Sequence, residues 1–555
     1  MINYKSCLIL VCMIMPVSVR TDLPEITSAD LASNYNRNRE LARRVMNSKA
    51  IDSETLSDTR FYYDEWKEAE AKAANAVAQI ISIEAKFDWS IPYRAPEPMP
   101  GAGSGFFIDQ QGHMLTNFHV VNQSTTSYAH IPALGKIRLP LEKVSACPEA
   151  DVALMRLTPE ALALVKQVLH HVPTLELGDS DALYPAESVL AHGYPLGEES
   201  LKRTTGVFAG RKYSERTGKS YMHITAPINP GNSGGPLLNR AGQVVGINTS
   251  GIREAQNIGY IIPINDVKIL LDDFLTTHLL RKPDLGIMWN KSTDQQARYL
   301  SNPVPGGVYV NYVSEGSIAY RAGMQVGDML YEINGYALDR YGDINVKLRS
   351  SDKISFEELL IRFKLNEEIK LVFYRRGQRM EYTGPFDVPI IYPLRYTSPE
   401  LEPEVTDYEM IGGMCVMQLR GNHIEYFFEA NRRIRNLDLI QYDNFNQKYK
   451  QVLIITSIIP DTIFDQTSCL HGTMLLDTIN DCKVETLEQF REALYKSAET
   501  GTIALSTKSN VATVVSLDTL LAQEPLLSQH YNFPMSPTIH KLYELRRQFD
   551  AGPKD

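Results

Sequence analysis

With 555 residues, 43% hydrophobic and 22% charged, the chain has the composition of a soluble globular protein and the length for about three or four domains. A net charge of −10 provides no basic surface for nucleic acid or an anionic membrane. Six cysteines, none in CxxC spacing, exclude a disulfide-built scaffold and argue against zinc; no metal or cofactor is expected.

At the N-terminus, Lys5 precedes an apolar run from Cys7 to Met15, then Pro16 and small residues. The run is too short to cross a bilayer as a helix but fits the apolar core of a secretory signal peptide, so residues 1–20 read as a leader and the protein as exported. No other stretch approaches the roughly 18 apolar residues of a membrane span. Residues 21–75 are polar, with helix-like stretches such as "NRELARRVM" and "YYDEWKEAEAKAANA", and read as a helical extension.

From Ala76 the character changes. "AVAQIISIEAKF" reads as a strand, the Pro-rich "IPYRAPEPMPGAG" as a loop, and short strand-like runs follow: "SGFFID", "HMLTNFHVV", "DVALMRL", "ESVLAHGYP", "TGVFAG", "SYMHITAP", "QVVGINTS" and "IGYIIPI". Many short strands with Gly and Pro turns predict an antiparallel barrel or sandwich over 76–265, closed by one helix in "NDVKILLDDFLTTHLL". Beyond Lys282, "GVYVNYVSEGSIA" (Gly307–Ala319) with "GDMLYEING" (Gly327–Gly335) is echoed by "VLIITSIIPDTIF" (Val452–Phe464) with "GTMLLDTIND" (Gly472–Asp481), which suggests two copies of one small domain. Cys147, Cys415, Cys469 and Cys482 read as ordinary small buried residues, a Cys469–Cys482 bridge being the alternative.

The chemistry concentrates in "INPGNSGGPL", Ile228–Leu237. A serine hydroxyl becomes a nucleophile when a neighbouring base takes its proton and a third group fixes that base's tautomer. Glycines around Ser233 free backbone amides to face an oxyanion, with Gly231 and Ser233, and Asn232 as a third candidate, as donors. "LTNFHVV" places His119 at the end of an apolar strand, and "EADVALMRL" opens a buried strand with Asp151, a carboxylate that needs a hydrogen-bond partner there. The order His119, Asp151, Ser233 is that of chymotrypsin-type barrels.

"GSGFFIDQQGHMLTNFHVV", "ADVALMRL", "LGDSDAL", "GYPLG", "TTGVFAG", "INPGNSGGPLLNRAGQVVGINTS" and "IGYIIPI" together resemble the HtrA/Deg serine proteases over about 190 residues. The cysteine that follows the histidine in secreted trypsins is absent, Val120 standing there. The resemblance implies a mainly β fold: a chymotrypsin-like double barrel over 76–280 with the triad between its halves, then PDZ-like α+β domains over 284–385 and 400–530, and a C-terminal tail, 531–555. It implies that "RKYSERTGKS" (Arg211–Ser220) is a regulatory loop, and that the amides of Leu285, Gly286 and Ile287 in "DLGIMW" receive a peptide C-terminus as an added strand. "IGGMCVMQL" (Ile411–Leu419) would be the second domain's counterpart, followed by a long insertion. "FDWSIPYR", "RSSDKISFEELLIRFKLNEEIKLVFYRRGQ" and "LLSQHYNFPMSPTIHKL" are similar to plant-type Deg proteases with two PDZ-like domains.

Where a trypsin-like pocket would hold an acid the sequence has Pro227 beside Ile228, so an apolar S1 pocket for small aliphatic residues is expected. By the same resemblance the substrates would be unfolded or damaged polypeptides and their free C-termini, the assembly a trimer-based homo-oligomer, and the compartment the periplasm or an organelle lumen. Two other functions compete with broad degradation: a catalytically silent chaperone or PDZ scaffold, and a regulatory protease with one substrate.

Overall fold

The computed structural model describes residues 66–195, 200–214, 219–249, 259–346, 353–388, 391–430, 439, 441–442 and 450–550. The leader and most of the extension lie outside the described residues, as do 215–218 of the expected regulatory loop and much of the insertion after Leu419.

Six strands, β1 (Val77–Ala85), β2 (Pro98–Phe107), β3 (His113–Thr116), β4 (Ser124–His130), β5 (Leu139–Cys147) and β6 (Val152–Leu157), close a barrel in the order β1-β2-β3-β6-β5-β4. Six more, β7 (Ser188–Gly193), β8 (Lys202–Ser214), β9 (Lys219–Ile224), β10 (Pro236–Leu238), β11 (Val244–Thr249) and β12 (Gly259–Pro263), close a second in the order β10-β11-β12-β9-β8-β7. Alternation along the strands turns Ile80, Phe107, Met114 and Met155 into the first barrel and Val189, Phe208, Met222 and Ile261 into the second. A separate core, including Phe106, Leu115, Leu154, Leu190, Val244 and Ile262, joins the two. Closure removes sheet edges, so the loops at the join are held on rigid strands.

Three local expectations change. The end of the N-terminal extension is part of the protease core: Ala69 and Ala73 of the helix Lys67–Ala73 are fully buried in the joint core. "PEALALVKQVL" is an unanticipated helix, Pro159–Leu169, with Pro159 in its first turn and the Thr158 hydroxyl accepting from Ala161 N at 3.3 Å. The single closing helix is instead two short ones, Ile264–Lys268 and Leu271–Phe274. Asp273 O takes the amides of Thr276 and Thr277, and the chain then leaves to pair with β5, Leu280 N donating to Ala146 O at 2.9 Å.

The repeated segments form two related domains. In the first, Ile287–Asn290, Val308–Val313, Met329–Ile333, Glu368–Arg375 and Gln378–Pro385 build an antiparallel sheet with Ile287–Asn290 at one edge. The helix Phe356–Ile361 packs beside that edge, the Trp289 and Phe356 rings lying 5.3 Å apart. In the second, Met414–Gln418, Leu453–Ile458, Leu476–Ile479, Thr502–Thr507 and Ala512–Ser516 recur with the helix Leu487–Tyr495, but split between two sheets.

The segment expected to be a tail is no tail. The helices Leu517–Tyr531 and Pro537–Asp550 contribute Leu517, Leu520, Ile539 and Leu542, all fully buried, to the second domain's core, so that domain runs on to Asp550. All four cysteines among the described residues are free, which removes the Cys469–Cys482 bridge; Cys147 and Cys415 are buried and the other two partly so.

Candidate active site

His119 is not at the end of a strand as expected. β3 stops at Thr116 and His119 lies on a one-turn helix, Phe118–Val121. The cause is Asp151, which immediately precedes β6 in the left-handed region with φ of 55°, a conformation that Asp tolerates better than most residues. From there its carbonyl accepts the amide of Phe118 and Nδ2 of Asn117, both at 3.1 Å, while its carboxylate accepts the amide of His119 at 3.1 Å. These bonds fold the chain after β3 back onto Asp151.

The imidazole completes the arrangement. His119 Nδ1 lies 3.0 and 2.9 Å from the two Asp151 carboxylate oxygens, and Thr249 Oγ1 of the second barrel donates to Oδ2 at 3.2 Å. A carboxylate only 12% exposed would cost several kcal/mol if left unpaired; here its partners place Nδ1–H toward Asp151 and leave Nε2 as the acceptor. The His119 side chain is 43% exposed, so that nitrogen belongs to an accessible face.

Ser233 is 4% exposed in the tight turn before β10. Its carbonyl accepts Ser104 N of β2 at 2.8 Å. A Cβ on neighbouring Gly103 would fall 3.2 Å from that carbonyl and 2.5 Å from Val120, the residue after His119. β2 therefore passes between the serine's turn and the histidine's helix with no room for a side chain. Gly234 has φ of 85°, and a Cβ there would lie 2.1 Å from Ser104 O and 2.2 Å from Thr116 Oγ1.

Gly231 has φ of 99°, open to glycine, and its carbonyl accepts Ser104 Oγ at 2.7 Å. That hydroxyl also takes the amide of Tyr194 at 3.0 Å, so Ser104 pins the turn from behind. Of the three amides expected to face an oxyanion, Asn232's is engaged elsewhere, donating to Asn229 O at 3.0 Å.

At the expected specificity pocket, Pro227 is exposed, its carbonyl accepting Thr204 Oγ1 at 3.2 Å, whereas Ile228 packs on the apolar core of the second barrel. A Cβ on Gly259 would fall 2.8 Å from both Ile224 and Ile228, so the wall here is aliphatic.

Three supports were not foreseen. Thr249 and Ser104 stand inside quoted motifs but carry no sequence mark of their role. The third comes from the segment between the two C-terminal domains: Ser398 Oγ donates to Asn122, the residue that ends the His119 helix, at 2.8 Å. Nearby, Lys143 Nζ bonds both Val121 O of that helix and Glu400.

Arg211, at the base of the expected regulatory loop, enters a buried ionic cluster with Asp181, Glu358 and Arg362, the last two on the first C-terminal domain. Desolvation pushes the carboxyls of Glu358 and Asp266 up. Desolvation would raise Asp181 too, but Arg362 and Arg211 hold it below the usual carboxylate range.

Residues 103–247 match the trypsin-like peptidase domain family and residues 309–354 the PDZ domain family. The Synechocystis protein named "Putative serine protease HhoB" is 32% identical over 306 residues, 52% of this chain and 70% of that protein. The chain belongs to the HtrA/Deg family of serine endopeptidases. A second family relative, "Probable periplasmic serine endoprotease DegP-like" from Pseudomonas putida, is 30% identical over half of this chain and 54% of its own length. The solved HtrA-type protease AlgW with tripeptide aligns over 58% of this chain and 96% of that one, with 23% identity and a TM-score of 0.45.

At Leu285, Gly286 and Ile287, where the sequence leads one to expect a peptide-carboxylate loop, Leu285 O accepts Ala319 N at 2.9 Å and Ile287 opens the edge strand opposite Val313. Gly286 N donates to the chain's own Asp284, at 2.6 Å. Among the described residues no helix is long and apolar enough to cross a membrane.

Proposed function

We propose that this HtrA/Deg endopeptidase cleaves unfolded or damaged polypeptides through an acyl-enzyme at Ser233. His119 Nε2 takes the Ser233 proton as Oγ attacks the scissile carbonyl, and the negative oxygen faces the amides of Gly231 and Ser233. Collapse of the tetrahedral intermediate breaks the C–N bond, His119 returns its proton to the leaving amine, and water repeats the cycle on the ester. Asp151 holds the imidazole in the tautomer this requires and stabilises the imidazolium.

The observation that carries the reading is the His119–Asp151 pair, bonded through both carboxylate oxygens and backed by Thr249. A silent scaffold has no need of an imidazole held in one tautomer, so the active reading is favoured. The aliphatic wall around Ile228 supports small apolar residues at the cleavage site. The DegP-like relative is named periplasmic; with the leader-like N-terminus this supports export, and a trimer-based assembly is the family's arrangement.

Labelling with a fluorophosphonate followed by peptide mass mapping tests the nucleophile. The adduct is expected on the peptide containing Ser233 and absent in His119→Ala; an adduct elsewhere, or none, overturns the assignment.

A further inference from the structure

The two C-terminal domains share a feature that no one-domain argument explains. In each, a backbone amide of the peptide-carboxylate loop is donated to a carboxylate of the same chain, although Gly412 matches Leu285 in register and Gly413 matches Gly286. In the first domain Gly286 N bonds Asp284 Oδ1 at 2.6 Å, and the same oxygen accepts the Tyr392 hydroxyl at 2.8 Å. In the second, Gly412 N bonds Glu524 of the helix Leu517–Tyr531.

The grooves differ in what else they hold. In the second domain the strand Tyr408–Ile411 pairs antiparallel with Met414–Gln418, from Tyr408 opposite Met417 to Ile411 opposite Met414. That is the edge on which a bound peptide would add, and Ile411 stands at the loop end of it, where a peptide's last residue would lie. The facing helix clamps the strand: Arg491 bonds Glu409 at 2.7 Å and Asp407 at 2.8 and 3.0 Å. Glu409, fully buried, also receives Ser536 and Thr538 from the C-terminal helix region. A Cβ on Gly412 would meet Leu520 at 2.7 Å, so the pocket beside the loop is filled as well.

In the first domain the corresponding strand, Ile287–Asn290, is at the sheet edge, and among the described residues no strand pairs beyond it. A side-chain bond joins that strand to the facing helix, Trp289 Nε1 to Glu357 at 2.7 Å. Glu357 is pushed up to about 7 by desolvation, with Asp284 adding to the rise, which places the two carboxyls in one neighbourhood.

We propose that the chain supplies its own stand-ins for a ligand carboxylate at both loops: the second groove is sealed by the strand Tyr408–Ile411, while the first is latched by Asp284, held by Tyr392, and opens to a free peptide C-terminus when Asp284 leaves Gly286. An incoming carboxylate must displace Asp284 from the amide and face its charge beside Glu357. The ligand class is thus a free apolar C-terminus admitted to one site per chain. The inference rests on the first domain being a peptide receptor and not on the catalytic assignment.

The test uses the full chain with Ser233→Ala, so that cleavage plays no part. Its probe is a fluorescent pool of decapeptides ending in Val, Ile, Leu, Ala or Phe, as free acids and as C-terminal amides. Asp284→Ala, which removes both acceptor and charge, is expected to bind the acid pool at least tenfold more tightly than the parent, to prefer acid to amide, and to saturate at one peptide per chain. Tyr392→Phe, which leaves Asp284 in place but frees it, is expected to give a smaller gain. Equal retention of the acid pool by parent and both variants, including no retention by any, overturns the latch. Saturation at two peptides per chain overturns the seal on the second groove.

Discussion

Removing Arg362 tests whether the buried ionic cluster fastens the first C-terminal domain to the protease barrels. Its guanidinium lies 2.8 and 3.1 Å from the Asp181 oxygens and 3.5 Å from Asp266. At 2.8 Å and an effective dielectric of about 20, the Asp181 pair alone is worth about 6 kcal/mol of Coulomb attraction. Desolvation offsets much of this, and breaking one partner of a buried pair costs about 3–5 kcal/mol in practice. Arg362→Met keeps the apolar stem but leaves Asp181, Asp266 and Glu358 sharing Arg211.

The pH dependence follows from the same charges. Glu358 and Asp266 are already held above the usual carboxylate range, and losing Arg362 raises them further. A raised folded-state value means the folded protein binds the extra proton, so that penalty is complete above the folded value and relieved as pH falls. Asp181, held low in the parent, contributes stability above its unfolded value that the variant lacks; this difference also shrinks in acid. Urea unfolding should therefore show Arg362→Met less stable by about 3–5 kcal/mol at pH 8, and by less at pH 5. Proteolytic release of the first C-terminal domain should accelerate in step. A deficit below about 1 kcal/mol, or one that grows in acid, would refute the reasoning.

Gly234→Ala forces a side chain at φ of 85° to within 2.1 Å of Ser104 O, so activity should vanish with a lowered melting temperature, checked by hydrolysis and calorimetry together. Asp151→Asn should cut kcat on the order of 10⁴-fold with the fold retained, and Thr249→Ala, which removes one hydrogen bond, about five- to tenfold. Truncation after Leu527 removes Ile539 and Leu542 from the second domain's core, each worth about 1.5–3 kcal/mol, and two of the partners of Glu409, Ser536 and Thr538. A shortened chain that melts like the full one would restore the tail reading.

The barrels and the three candidate catalytic residues were legible because they leave local marks: strands with period-two burial, glycines where backbone passes backbone, and a carboxylate opening a buried strand. Asp151 was found by that last signal, although its left-handed conformation and the helix it imposes on His119 were not, since both depend on bonds across 32 residues. The helix Pro159–Leu169 carried a readable Thr-Pro start that the surrounding strand pattern obscured. "NDVKILLDDFLTTHLL" has helical spacing throughout, but pairing with β5 claims its end. The helix Pro537–Asp550 was misjudged because its buried residues have partners only in the distant strands of the second domain. The latch at Gly286 is spelled Asp284-Leu285-Gly286 in the sequence, yet nothing local says that Tyr392 would hold it.

The most direct test of the central claim compares the full chain with Ser233→Ala on unfolded casein and on a stably folded protein of similar size. A protease needs extended segments that local or global unfolding releases. The account predicts peptides from casein alone and from the parent chain alone, with cleavage after small aliphatic residues. Casein degraded equally by Ser233→Ala, or left intact by both chains, would contradict it.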